Sequence, residues 1–389
     1  MRCAIGRYSR RLVNSILDQD DQASVIVAAE RGADAVREER LEVVPCYRRA
    51  DDYTDAVFCV VRDAGAAVVH FQHAPDLLGE DGRLPRLCRR LREAGVGTVV
   101  TLHTVYGPRR WRLFLGRAPT AYFHRALGAA ADRLIVHHRD GCVVPLAAQG
   151  LDAARIAVIP HGTHRHQQDR DVSMARARLG LPQDDVVLTF VGSIWWGKNV
   201  GTIVSAFVRV AAAWPRARLL VAGEAWGRRW YNRLLVRSLR ARIAAHRLED
   251  RVTWIDEYLS DERAQDVISA SDVVLLPHAQ RYGSASGVFH DAIGAGRAVV
   301  CSRGPKFEDA IRVLADLPEA LVPPRDISAW ATAMGRMVSD PGLRERVRRA
   351  VSDYGAATSW GEVARMHLGL YRALGGRESA PAQRAAGGA

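Results

Sequence analysis

Short β-branched apolar runs alternate with amphipathic stretches along the whole chain, and this alternation limits the fold more than any other feature. In the first half the runs are Ser24–Ala28, Leu41–Pro45, Ala67–Phe71, Thr98–Leu102, Arg133–Val136 and Ile156–Ile159. In the second half they are Val186–Val191, Arg218–Ala222, Val252–Ile255, Val273–Leu276, Ala298–Cys301 and Ala320–Val322. Between them lie helical patterns such as Tyr8–Leu17, Val200–Trp214, Asp261–Ala270 and Gly287–Ala295. Strands that are apolar on both faces and separated by helices belong to parallel sheets covered on both sides. At 389 residues the chain exceeds what one core usually serves. The expected architecture is therefore α/β, with two doubly wound Rossmann-like domains facing a cleft.

The pattern also sets boundaries. After Ile159-Pro160-His161-Gly162 the chain turns polar, and it becomes strand-like again only at Val186. This predicts a first domain over 1–162, a linker over 163–185 and a second domain over 186–358. A helix over 359–374 is expected to cross back to the first domain, followed by a small, polar, disordered tail over 375–389. The first helix begins a few residues after Met1 with no strand before it, so either the true start lies upstream or the first domain is expected to be built with one strand fewer than usual. No apolar run reaches the ~18 residues of a membrane span, and no secretory leader is evident. Six scattered cysteines lack any metal-ligand spacing and read as reduced thiols of a cytoplasmic protein.

A formal charge of +12 invites a nucleic-acid or membrane reading. The excess is nearly all arginine, however, with Lys198 and Lys306 the only lysines, and no dense basic run with interleaved aromatics of the nucleic-acid type is present. The composition favours a solvated basic surface and gives no support to nucleic-acid binding.

Two loops of the second half suit a diphosphate. The first, Gly192-Ser193-Ile194-Trp195-Trp196-Gly197-Lys198-Asn199, follows a strand and precedes a helix. Its glycines permit close backbone approach, and Lys198 supplies a point charge. The second, Tyr282-Gly283-Ser284-Ala285-Ser286-Gly287-Val288, opens a helix whose free amides and dipole favour an anion. Ser284 and Ser286 serve either as hydroxyl donors or as N-caps. Asp291 falls about one turn into that helix, where a carboxylate suits a ribose.

These segments resemble a known family. Val191-Gly192…Lys198, Leu220-Val221-Ala222-Gly223-Glu224, Asp272–Pro277 and Ser286-Gly287-Val288…Asp291-Ala292…Gly296-Arg297-Ala298 are similar to the C-terminal domain of the family 4 (GT4) retaining glycosyltransferases. Ala4–Arg10, which includes Gly6, is similar to that family's glycine-rich first loop and helix. Val68–Gln72, Thr101-Leu102-His103-Thr104, Val158–Gly162 and Ser359-Trp360…Tyr371 also resemble family segments. Three positions depart from it: the first acid of a Glu-x7-Glu pair falls at Gly283, an arginine after the loop glycine falls at Ser193, and the first loop glycine falls at Ala4.

The resemblance implies a GT-B fold and a metal-independent, retaining glycosyltransferase. Such an enzyme moves a sugar from a UDP- or GDP-sugar co-substrate to a hydroxyl of a glycan, lipid or small natural product. No further cofactor is expected, and no HExxH, DxD-type pair or His/Cys cluster suggests a metal. The implied donor-binding residues are Gly6, Gly192, Ser193, Lys198, Gly223, Glu224, Tyr258, Ser284, Ser286, Gly287, Val288 and Asp291. His103 and Lys198 are the implied catalytic groups, with His73 and Tyr106 on the acceptor side. The basic, aromatic stretch Tyr106–Leu127 would form one lip of the acceptor cleft and is expected to bind an acidic acceptor, to touch an anionic bilayer at the inner membrane face, or simply to pack with its arginines outward. The alternative function is a catalytically weak relative that binds sugar nucleotide or glycan without transfer.

Overall fold

The computed structural model describes residues 4–107, 120–164 and 171–376. Each apolar run named above forms a strand. The strands are β1 (Val25–Glu30), β2 (Val36–Arg37), β3 (Leu41–Tyr47), β4 (Val68–His73), β5 (Gly97–Leu102), β6 (Arg133–Val136), β7 (Ile156–Val158), β8 (Val186–Val191), β9 (Ala217–Ala222), β10 (Val252–Ile255), β11 (Val273–Leu276), β12 (Ala298–Ser302) and β13 (Leu321–Val322). Only β2 was not marked by an apolar run; at two residues it is too short to carry a period.

By their contacts the residues form two units. One comprises Met1–Pro160, Tyr282–Ser284 and Trp360–Ala389, and the other His161–Arg281 and Ala285–Ser359.

In the first unit, β4-β5-β6-β7 make a parallel sheet, while β1, β3 and β2 form a second sheet in the order β1-β3-β2. Helix Ala4–Gln19 buries Tyr8, Leu12 and Ile16, one residue per turn, against Val99 and Ile135 of the larger sheet. Helix Trp360–Gly375 completes this cluster with Trp360, Val363, Ala364 and Leu368. Gly6, expected near the first loop, lies within helix Ala4–Gln19. The tail from 377 onward falls outside the described residues.

The second unit holds one six-stranded sheet, parallel throughout, ordered β10-β9-β8-β11-β12-β13. Numbered within the unit this order is third, second, first, fourth, fifth, sixth, so the winding reverses between β8 and β11. Loops at the carboxyl ends of strands flanking such a reversal form a crevice suited to ligands. The strands are buried almost entirely, as Val187, Leu188, Phe190, Leu219, Leu220, Val221, Val273–Leu276 and Val299–Cys301 show.

The predicted linker is largely part of this unit. Asp171 caps helix Val172–Arg178 by accepting from the Ser173 amide, and Ala175 and Leu181 enter the core. Arg176 is buried and ion-paired with Asp272 at 2.7 Å. The cap and two apolar positions suffice to order a segment whose preceding residues are polar.

Candidate active site

The crevice of the second unit begins where β8 and β9 end. Gly192 and Gly223 both lie in the left-handed region, at φ 125° and 141°. A Cβ on Gly223 would sit 2.1 Å from the Gly192 carbonyl oxygen, so the two strand ends meet as bare backbone. The Gly192 amide donates to Ala222 and the Ile194 amide to Glu224, at 2.9 and 2.8 Å, which fixes Ser193 and Glu224 beside each other at the loop base. Asn199 takes a left-handed turn (φ 55°) and starts helix Val200–Ala213. The Ala279 amide donates to Gly197 at 3.1 Å, tying this loop to the segment after β11.

That tie brings three loops together. Lys198 Nζ donates to His278 Nε2 at 3.3 Å, and Lys306 Nζ donates to the Ala285 carbonyl at 2.9 Å. Both lysines of the chain therefore stand in one loop cluster, at the ends of β8, β11 and β12. Burial draws the Lys198 ammonium down to about 8. His278 is held well below its usual range by burial and then by the charges of Lys198 and Lys306, so it is neutral and accepts from Lys198. The His278 ring packs on Phe307, and its Nδ1 is buried with no hydrogen-bond partner among the described residues.

Helix Gly287–Gly294 provides the opposing donors. Ser286 is its N-cap, with Oγ accepting from the Phe289 amide at 3.4 Å, so the hydroxyl performs the capping role. The first amides of a helix, here those of Gly287 and Val288, have no acceptor within the helix. Beside Gly287 stands His161, stacked on His290 at 4.8 Å. His290 Nδ1 meets Thr163 Oγ1 at 2.8 Å. Asp291 sits one turn in and is 7% exposed. Tyr258 is exposed in the loop after β10.

Gly283 and Ser284 belong by their contacts to the first unit. Gly283 pairs its amide and carbonyl with Val105, and a Cβ there would fall 1.9 Å from the Gly141 carbonyl and 2.7 Å from Cys142 Sγ. The missing carboxylate at this position is thus a packing requirement of this chain. Ser284 is buried.

In the same unit, His103 follows β5, and its Nε2 donates to Gln72 Oε1 at 2.8 Å while the Tyr8 ring meets it edge-on at 4.7 Å. His103 remains partly exposed. His73, expected on the acceptor side, is 1% exposed, donates from Nε2 to the Gly79 carbonyl at 2.8 Å and stacks on Phe123. It has no open edge to offer and is held neutral near pKa 4 by burial. Tyr106 packs edge-on against Tyr282, and its carbonyl accepts from Gln149. Residues 108–119 of the basic stretch lie outside the described residues, and its last residues, from Thr120 to Leu127, fall in helix Thr120–Ala130 of the first unit.

Sequence reasoning assigned no role to His278, Lys306, His161 or His290. The rarity of lysine was a usable signal for Lys306; only the topology brings the histidines to the site. Among the described residues no group of His, Cys, Asp and Glu is placed to hold a metal, and no helix is long and apolar enough to cross a membrane.

Residues 185–340, essentially the sheet of the second unit with its loops, match the family described as Glycosyl transferases group 1. The chain is 29% identical over 322 residues to the D-inositol 3-phosphate glycosyltransferase of Acidothermus cellulolyticus, covering 80% of this chain and 68% of that protein. It is 30% identical over 262 residues to the protein of the same name from Mycobacterium bovis, covering 66% of this chain and 52% of that one. The chain thus spans between about half and two thirds of the length of these curated relatives. Among solved structures it resembles the sucrose-phosphate synthase of Thermosynechococcus elongatus, with TM-score 0.72, 20% identity and 94% and 92% of the two chains covered. It also resembles Anabaena HepE in complex with UDP, with TM-score 0.67, 15% identity and 86% of each chain covered. At these identities the likeness establishes the fold, which is GT-B.

Proposed function

We infer that this chain, which has a GT-B fold and matches the group 1 glycosyl transferases over residues 185–340, is a glycosyltransferase that moves a sugar from a nucleoside-diphosphate sugar to a hydroxyl acceptor. The observation that carries this is the convergence of the only two lysines on His278, which follows β11: Lys198 from the loop after β8, at the sheet reversal, and Lys306 from the loop after β12, bonded to Ala285 just before helix Gly287–Gly294. A diphosphate is the ligand such a set of charges and amides matches.

In this reading Lys198 and the Gly287 and Val288 amides hold the diphosphate and stabilise the charge that grows on it as the glycosidic bond to the donor breaks. Lys306 supplies the second cation where Ser193 offers no charge. Asp291 and Tyr258 serve the nucleoside, and Gly192, Gly223 and Glu224 shape the floor. No side chain acts as a nucleophile: the departing diphosphate takes the acceptor's proton on the same face, which retains the anomeric configuration, and no metal is required. His103 hydrogen-bonds the transferred sugar. Positioning and charge stabilisation carry the rate.

The relatives' names suggest phosphorylated polyols and sugars as first acceptors to try, and the +12 charge suits an anionic acceptor. A cytoplasmic location accords with a nucleotide-sugar donor. The test is nucleoside-diphosphate release from UDP-, GDP- and dTDP-sugars, with and without inositol phosphates and hexose phosphates. Acceptor-stimulated release with one donor, lost in Lys198→Ala, supports the assignment. Donor binding without any release or transfer overturns the transfer step.

A further inference from the structure

We propose that the segment from Ala225 to Arg247 in the second unit is a docking surface for an anionic lipid bilayer. The segment leaves the carboxyl end of β9, crosses a glycine turn at Gly227 (φ 66°) and continues as helix Trp230–Ala245. One face of this helix, Leu235, Val236, Leu239 and Ile243, is buried in the sheet's core. The first turns of the opposite face carry large apolar side chains among exposed arginines, where a soluble helix is normally polar throughout. Trp230 is 72% exposed and Leu234, one turn on, is 51% exposed, with Trp226 of the preceding turn at 45%. Isolated exposed apolar residues are ordinary, but two tryptophans and a leucine on consecutive turns form a patch that suits a partner.

Charge selects the partner. Between Ala225 and Arg247 the sequence has seven arginines and no aspartate or glutamate. Arg229, Arg233 and Arg237 are exposed alongside the apolar positions. Some surface arginines elsewhere are matched by acids, as in Arg86–Asp52 at 2.5 Å and Arg348–Glu345 at 2.6 Å. Among the described residues, no such ion pair is formed by Arg229, Arg233 or Arg237; Arg229 instead donates to the Tyr231 hydroxyl and lies 5.6 Å over the Trp226 ring. Coding preference for arginine explains the residue type but leaves the missing acids unexplained. An amphipathic helix with tryptophan and leucine between arginines, lying flat, meets both the acyl boundary and the phosphate layer of a membrane. The Trp226 amide donates to the Ile194 carbonyl at 3.0 Å, so the patch adjoins the Gly192–Lys198 loop. The assignment uses none of the donor chemistry and stands or falls separately from it.

The experiment is flotation of the full chain with vesicles of phosphatidylcholine alone and of phosphatidylcholine containing one third phosphatidylglycerol, together with tryptophan quenching by lipids brominated on the acyl chain. The wild type is expected to partition at least about tenfold better into the anionic vesicles, with part of its emission quenched. Trp230→Ser with Leu234→Ser should remove that quenched component, and Arg233→Glu with Arg237→Glu should lower partition by about fivefold or more per charge removed. All four positions are exposed, so thermal unfolding should be unchanged, as should donor binding. Equal partition into both vesicle types, or variants that partition like the wild type, overturns the proposal. Salt-labile attachment with no acyl-chain quenching overturns it too, since any polyanion, RNA included, gives that result.

Discussion

Lys198 and His278 form a cation–neutral pair: the lysine Nζ donates to the ring Nε2 at 3.3 Å, and the imidazole stays neutral because it is buried between two ammonium groups. Without a bound anion the ammonium is under-compensated, since burial alone lowers it to about 8. A site that holds a desolvated cation against a neutral acceptor is prepared for a negative ligand.

Replacing that lysine should therefore separate binding from stability. Lys198→Met is expected to weaken UDP binding by ~1–3 kcal/mol. It removes a poorly solvated charge, so the melting temperature should hold or rise. Calorimetric titration and thermal unfolding of the same preparation give both values; equal losses in both would make the lysine a structural residue.

The pH dependence follows from the same group. Its pKa is lowered, so the ammonium is present below about 8 and lost above it. Diphosphate affinity should accordingly fall as pH rises through about 8, and binding above that pH should take up a proton because the anion restores the lysine's basicity. Titrations in two buffers of different ionisation enthalpy measure this uptake. Affinity that is flat from about pH 7 to about pH 10 would contradict a role for the ammonium.

Restoring the family's carboxylate should fail. Gly283→Glu places a Cβ 1.9 Å from the Gly141 carbonyl, a contact with backbone that cannot move cheaply. A loss of ~2–4 kcal/mol in stability is expected, with no gain in transfer. A stable variant with higher activity would show that the position lost a functional acid.

His103 and His73 should part company. His103→Ala is expected to lower transfer by ~10–100-fold with little effect on unfolding, as removal of a bond to the transferred sugar implies. His73→Ala should cost ~1–3 kcal/mol of stability through the lost bond to Gly79 and the lost stack on Phe123. Donor affinity should survive the second change, as read by titration below its melting point.

The strands were legible because each is a run of apolar residues buried on both faces, as in Val186–Val191 and Val273–Leu276. The Lys198 loop and the Ser286 cap were legible because glycine, lysine and serine act there through local backbone geometry. His278, Lys306 and His161 were not, since what brings them to the site is the sheet order and not their spacing. Helix Val172–Arg178 was hidden by the polar residues before it; its Asp171 cap and two core positions are short-range signals that a composition shift masks. Gly283 looked like a missing acid and is a glycine required by its neighbour's carbonyl, a fact visible only once Gly141 is placed opposite it.

The most direct measurement is calorimetric titration of UDP-, GDP- and dTDP-sugars into the wild type and into Lys198→Ala/Lys306→Ala. At least one donor should bind the wild type, and the double variant should bind it ~100-fold more weakly while remaining folded at the temperature of the titration. Wild-type protein that binds none of these donors, or a double variant that binds as well as the wild type, would contradict a diphosphate site at the two lysines.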